Sequence, residues 1–170
     1  MKLQQVNGAD AAAFVALLGG VFEHSPWVAE RAWTMRPFDS VEKLFLAMKS
    51  VVLNSNIEEK LGLIRAHPEL AGREATEGGL TDHSSGEQGR LGLDALGRKE
   101  LDRIARINHS YREKFGFPCI VALRMHRNRV TVLAEMERRL GNDADAEMRN
   151  ALEQIGHIAR GRLERLLEAV

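Results

Sequence analysis

The sequence predicts an all-α, single-domain bundle of about seven or eight helices spanning residues 1–170. Three observations carry that expectation. Apolar residues recur at helical spacing through most of the chain. Helix-start signals of the type S/T/N/D-x-x-E stand before the periodic stretches. Only one segment, FPCIVAL at 117–123, looks strand-like or extended. The length of 170 residues suits one domain. A chain of this size buries roughly 70% of the surface its unfolded form exposes, so it can fold without staples.

Element by element, the N-terminal stretch MKLQQVNGADAAAFVALLGG reads as a strand or loop leading into a helix. Asp39 stands before the next helix with Glu42 three residues later, the capping-box spacing. Leu44, Phe45, Met48, Val51 and Val52 then form one apolar stripe. Asn56 and Glu59 repeat the cap, and that helix must end near His67, because Pro68 disfavours helical geometry in the residue before it. Residues 68–83 contain glycines and a proline with little periodicity. They read as a long loop, and long ordered loops tend to be functional. Ser84 and Glu87 give another S-x-x-E start. A longer helix follows from about Arg98 to Phe115, with Leu101, Ile104, Ala105, Ile107, Asn108 and Tyr111 along one side. Gly116 is placed to stop it. Two more helices are expected near 128–140 and 144–168, with Asn142 and Asp143 between them able to cap the second.

Composition narrows the function classes. With 24 basic and 24 acidic side chains the formal net charge is zero, so the chain lacks the footprint of a nucleic-acid binder, which must neutralise phosphates. No stretch approaches the ~20 apolar residues that span a bilayer. Cys119 is the only cysteine, which rules out an internal disulfide and fits a reducing compartment. The N-terminus does not read as a signal peptide and the C-terminal LLEAV is no peroxisomal address, so a cytoplasmic protein is expected.

His67 is the first candidate for chemistry. It stands at a helix end beside the glycine-containing loop, and imidazole can donate or accept a proton near neutral pH. The structural alternative is a histidine that complements the C-terminal dipole of its helix. Glu87 has two readings as well: the last member of a capping box, or a carboxylate that pairs with His67 and raises its basicity. Arg149, Arg160, Arg162 and Arg165 crowd the last helix. Such arginines usually form a solvated face, but one that points inward suits a carboxylate or urea-like oxygens. No two of the six histidines stand at i, i+3 or i+4, and there is neither HExxH nor a cysteine pair, so a metal site has no support. Cys119 sits in an apolar run and reads as a core thiol rather than a nucleophile. No serine lies in a G-x-S-x-G elbow and no glycine loop matches a phosphate cradle. What is left is acid–base chemistry on a small molecule, or no chemistry.

Taken together, four blocks carry a resemblance: Phe22-Glu23-His24-Ser25-Pro26-Trp27-Val28, Leu63-Ile64-Arg65-Ala66-His67-Pro68-Glu69-Leu70-Ala71-Gly72-Arg73, Ser84-Ser85-Gly86-Glu87-Gln88, and Lys114-Phe115-Gly116-Phe117-Pro118-Cys119-Ile120. In this order and spacing the chain resembles the 2-oxo-4-hydroxy-4-carboxy-5-ureidoimidazoline (OHCU) decarboxylases of purine breakdown, from about residue 10 to the C-terminus. The resemblance implies an all-helical fold, often a homodimer, no cofactor, and conversion of the urate-derived intermediate to (S)-allantoin. It places His67, Glu87 and Arg162 in the catalytic centre, with Arg160 as the near competitor of Arg162. It also places Pro68, Ser84, Phe117 and Ile120 against the substrate. His24 and Trp27 are expected to be structural. Cys119 stands where many relatives have a bulkier aromatic, which bears on packing behind the pocket. Two rival readings stay open: a helical interaction module without catalysis, and a related enzyme acting on a different ureido or imidazoline substrate.

Overall fold

In the computed structural model, which describes residues 1–167, all regular structure is helical. Two compact units are formed: Met1–Ala66 together with the chain from Gly156 onward, and His67–Ile155. Each is taken by itself.

The first unit begins with two short helices, α1 (Leu3–Gly8) and α2 (Ala11–Leu18). The expected opening strand or loop is therefore helical. The Lys2 backbone N–H donates to Gln5 Oε1 at 2.8 Å, and Val6 is fully buried, so a local cap and tertiary burial together overcome a weak sequence signal. Asp10 caps α2 by accepting from the Ala13 N–H at 2.8 Å. Helix α3 (Trp27–Ala32) runs into a 3-10 turn at Trp33–Met35, and it packs on α2 and on α4 (Val41–Leu53). The α4 stripe of Leu44, Phe45, Met48, Val51 and Val52 is buried as its periodicity predicts. Its cap is Ser40, not Asp39: Ser40 has the extended backbone a cap needs, and its hydroxyl accepts from the Lys43 N–H at 3.1 Å. Asn56 and Glu59 form the expected reciprocal box at the start of α5 (Ile57–Arg65), which stops two residues short of His67.

The second unit contains α6 (Arg73–Glu77), α7 (Asp82–Arg90), α8 (Arg98–Phe115), a 3-10 turn at Leu123–Met125, α9 (Arg129–Arg139) and the first part of α10 (Ala144–Leu166). Residues 68–83 are thus not one long loop, since α6 and the start of α7 lie within them. Helix α7 also starts earlier than the S-x-x-E spacing suggests. Thr81 is the cap, its hydroxyl accepting from the Ser84 N–H at 3.3 Å, so Ser84 and Glu87 are interior helix positions. The stripe of α8 buries Ile104, Ile107, Asn108 and Tyr111, while Ala105 faces out. Gly116 ends α8 at φ 75°, in the left-handed region that glycine enters without a Cβ clash. Asp143 accepts from the Ala146 N–H at 2.7 Å and caps α10 as expected.

Among the described residues there are ten α-helices, of which α2, α4, α5, α7, α8, α9 and α10 are eight residues or longer. That agrees with the all-α class and with the seven or eight helices expected. None of them is long and apolar enough to cross a membrane.

Candidate functional site

Six of the expected site residues belong to the second unit. His67 is its first residue and is 6% exposed, with its Nε2 atom buried. The turn that follows is tied down residue by residue. Glu69 pairs with Arg112 of α8, the Leu70 carbonyl accepts from Asn108 Nδ2 at 3.0 Å, and the Ala71 N–H donates to Gln88 Oε1 at 2.9 Å. Gln88 stands on α7, the helix that also carries Ser84 and Glu87. Ser84 and Gln88 are buried, four residues apart on one face, while Glu87 and Pro68 are half-buried. Because Thr81 holds the cap, Glu87 is not the last member of a capping box.

The segment with Phe117 and Ile120 is buried from Phe117 to Leu123, is non-helical as far as Ala122, and belongs to no strand. Side chains do the work of a ladder there. Arg139 donates to the Ile120 carbonyl, Gln154 Oε1 accepts from the Ala122 N–H at 2.8 Å, and Arg90 donates to the carbonyls of Leu123 and His126. Phe117 packs edge-on against Tyr111 with ring centroids 6.0 Å apart.

Behind this segment lies a buried charged cluster. Arg139 and Glu147 pair at 2.8 Å at 1% and 0% exposure, and the Tyr111 hydroxyl donates to Glu147. Asn142 and Asn150 donate to its other oxygen at 2.7 and 2.8 Å. Burial disfavours the Glu147 charge, but these four partners outweigh it and hold the carboxylate below its ordinary range. The Tyr111 hydroxyl is pushed up, by burial first and by its bond to Glu147 second. Cys119 is buried at 1% exposure and burial pushes its thiol up to about 12, which fits a core thiol and not a nucleophile.

Arg162 and Arg160 belong to the first unit and differ in burial. Arg160 is exposed and pairs with Glu42 at 2.6 Å and Glu164 at 3.1 Å. Arg162 is 1% exposed, and its Nη1 lies 2.6 Å from Glu23 Oε2, itself 1% exposed. Arg149 and Arg165 are exposed. Glu23 sits just before His24, an exposed residue at φ 45°, and the Ser25 hydroxyl donates to the Glu23 carbonyl at 2.9 Å. The tight FEHSPW turn therefore delivers a carboxylate to Arg162.

Sequence reasoning missed Glu23, Gln88, Asn108 and the Arg139–Glu147 pair. Glu23 and Gln88 lie inside the motif blocks, and Asn108 is the polar member of an otherwise apolar α8 stripe, so a signal existed for these three. Nothing local distinguishes Arg139 or Glu147 from the other charges on their helices. Among the described residues no group of three or more His, Cys, Asp or Glu is arranged to hold a metal ion.

Comparison with known proteins agrees with the motif blocks. The family model described as OHCU decarboxylase matches residues 7–164. A 2-oxo-4-hydroxy-4-carboxy-5-ureidoimidazoline decarboxylase from Haloferax volcanii is 45% identical over 163 residues, covering 96% of this chain and 94% of the relative. The fold matches a crystal structure of (S)-allantoin synthase with TM-score 0.79 and 30% identity, covering 99% of this chain and 55% of that one. A crystal structure of OHCU decarboxylase in the presence of (S)-allantoin matches in fold with TM-score 0.71 at 19% identity, over 95% of this chain and all of that one. The family match along nearly the whole chain, the 45% identity and the all-α fold lead to one conclusion: this chain belongs to the OHCU decarboxylase family, which are carboxy-lyases.

Proposed function

We propose that this protein decarboxylates 2-oxo-4-hydroxy-4-carboxy-5-ureidoimidazoline to (S)-allantoin in urate breakdown, without a cofactor, with His67 and Glu87 in acid–base roles. One observation carries most of the weight. A buried imidazole stands on a His-Pro turn that Gln88 ties to α7, the helix bearing Ser84 and Glu87. Burial of an ionisable group on a clamped turn has a structural cost that a role in proton transfer would explain.

The residue types suit the substrate. Its reacting carbon bears a carboxylate and a hydroxyl and lies next to a C=N bond. As the bond to the carboxylate breaks and carbon dioxide leaves, the electron pair flows into that C=N bond, so the substrate is its own electron sink. An enol-like intermediate forms, and a proton is then delivered to one face of the ring carbon. His67, oriented by Glu87, hydrogen-bonds the hydroxyl and manages its proton as the bond breaks. Help of this kind is worth about 10²–10⁴ in rate. Ser84 takes the ureido arm, while Pro68, Phe117 and Ile120 wall the ring. Arg162, held as a buried cation by Glu23, is assigned the anionic or ureido oxygens. The chain acts in a cytoplasmic setting as a homodimer on this reading, as the family resemblance implies.

The test is circular dichroism of allantoin formation from urate with urate oxidase and hydroxyisourate hydrolase, with and without this protein and its His67→Ala variant. Rapid appearance of one optically active enantiomer, lost in the variant, is the expected result. Slow racemic allantoin in every sample would sink the decarboxylase assignment and favour a different substrate or a binding module.

A further inference from the structure

The turn after His67 needs holding. Ala71 adopts φ 46°, a left-handed conformation that a residue with a Cβ keeps only where its surroundings over-determine it. Three ties do this, on three successive residues: Arg112 to Glu69, Asn108 to the Leu70 carbonyl, and the Ala71 N–H to Gln88. The first is a half-exposed ion pair, which constrains geometry weakly. Asn108 is different. It is 4% exposed, it lies on the α8 stripe beside Ile104, Ile107 and Tyr111, and its Oδ1 is buried with no donor among the described residues.

An amide is an expensive choice for that position. Packing alone would be served by leucine, which has nearly the same size and brings no amide oxygen of its own to be buried without a donor. The side chain is therefore explained by what its Nδ2 does, and Nδ2 holds the carbonyl three residues beyond His67. We infer that Asn108 is a positioning residue for His67: it fixes the His-Pro turn from α8, at a cost in stability, so that the imidazole is held in its reacting orientation. The inference rests on the acid–base reading of His67 given above.

Asn108→Leu and Asn108→Asp test it, with Ile104→Val as a packing control on the same helix and His67→Ala in parallel. Leucine fills the site but cannot donate; aspartate keeps the shape but turns an acceptor toward the Leu70 carbonyl. Both should lower kcat by about ten- to a hundredfold, the range that a displacement near 1 Å produces, with KM changed by less than about threefold. Leucine removes the orphaned Oδ1 but also the donor to the Leu70 carbonyl, two effects of opposite sign, so the Asn108→Leu protein should melt close to wild type, and Ile104→Val should shift melting without moving kcat. Activity lost while stability is kept cannot come from a merely structural role. Wild-type kcat in both Asn108 variants with His67→Ala inactive would overturn the positioning role alone. A loss confined to KM would overturn it as well, making Asn108 a substrate contact. Full activity in His67→Ala would remove the catalytic reading on which the inference stands.

Discussion

Cys119 and Glu23 show how far a single side chain can be argued from burial. The Cys119 thiol lies at about 12, well above the ~8.5 of an unfolded cysteine. A group whose folded value is raised contributes its stability in full below the unfolded value. That contribution is lost as pH climbs from about 8.5 toward about 12, because the unfolded thiol ionises there and the folded one does not. At pH 8 the native protein should therefore resist an aromatic disulfide reagent and release one equivalent only after unfolding. Rapid labelling of the native protein would contradict the buried placement. Glu23 makes the opposite kind of contribution, as a charge that is buried only because it is paired. Removing it in Glu23→Ala leaves the Arg162 cation uncompensated, a loss of about 3–5 kcal/mol in urea unfolding. Glu23→Gln keeps an acceptor for the guanidinium and should lose clearly less. Equal losses in the two variants would show that the charge of Glu23 is not what matters.

At the level of the elements, the sequence was legible where one residue type has one structural job. Gly116 stops α8 because only glycine takes φ 75° without penalty, and Asn56 with Glu59 can cap only the helix that follows them. It was misleading where neighbouring residues compete for the same job. Asp39 and Ser40 both suit a cap, and the backbone gave it to Ser40. Thr81 and Ser84 compete in the same way, and the choice changes the meaning of Glu87 from cap partner to interior helix residue. That choice is testable. Thr81→Ala should cost about 1 kcal/mol, the usual value of a lost cap, and should loosen the helix that presents Ser84 and Glu87. Thermal melts of Thr81→Ala and Ser84→Ala with decarboxylation rates should separate the residues: a stability loss dominating the first, an activity loss the second. A full cap-sized loss in Ser84→Ala with none in Thr81→Ala would restore the S-x-x-E reading. The 117–123 segment was recognisable as a break in the helical pattern but not as strandless. Its partners, Arg139, Gln154 and Arg90, come from 19, 32 and 33 residues away along the chain, and no local pattern announces them.

For the whole molecule, periodicity was enough for the fold class, since the long helices α4, α8 and α9 each bury a mainly apolar stripe. The division into two compact units was not legible. It runs between Ala66 and His67 and again between Ile155 and Gly156, inside the continuous α10, where neither composition nor charge changes. The candidate site was legible as a set of motifs, yet the groups that hold those motifs in place come from elsewhere in the sequence. The Arg139–Glu147–Tyr111 cluster is one of them, and its buried carboxylate should make the stability of the protein sensitive to acid. The Glu147 carboxylate is depressed in the folded state, burial being outweighed by four hydrogen-bonding partners. A group of this sign contributes stability above its unfolded value of about 4.3 and loses it as pH falls toward the depressed folded value. Wild-type protein should accordingly lose stability steeply below about pH 4.3. Glu147→Gln should be weaker by about 3–5 kcal/mol at neutral pH, with Arg139 left buried and uncompensated. Its unfolding free energy should then fall less with acid, because the carboxylate whose protonation drives part of the fall is gone. Urea titrations of both proteins at about pH 7, 4 and 3, spanning the window below the unfolded value, decide the matter: parallel acid slopes would place the acid-sensitive carboxylate outside this cluster, and convergence of the two curves toward low pH would place it at Glu147.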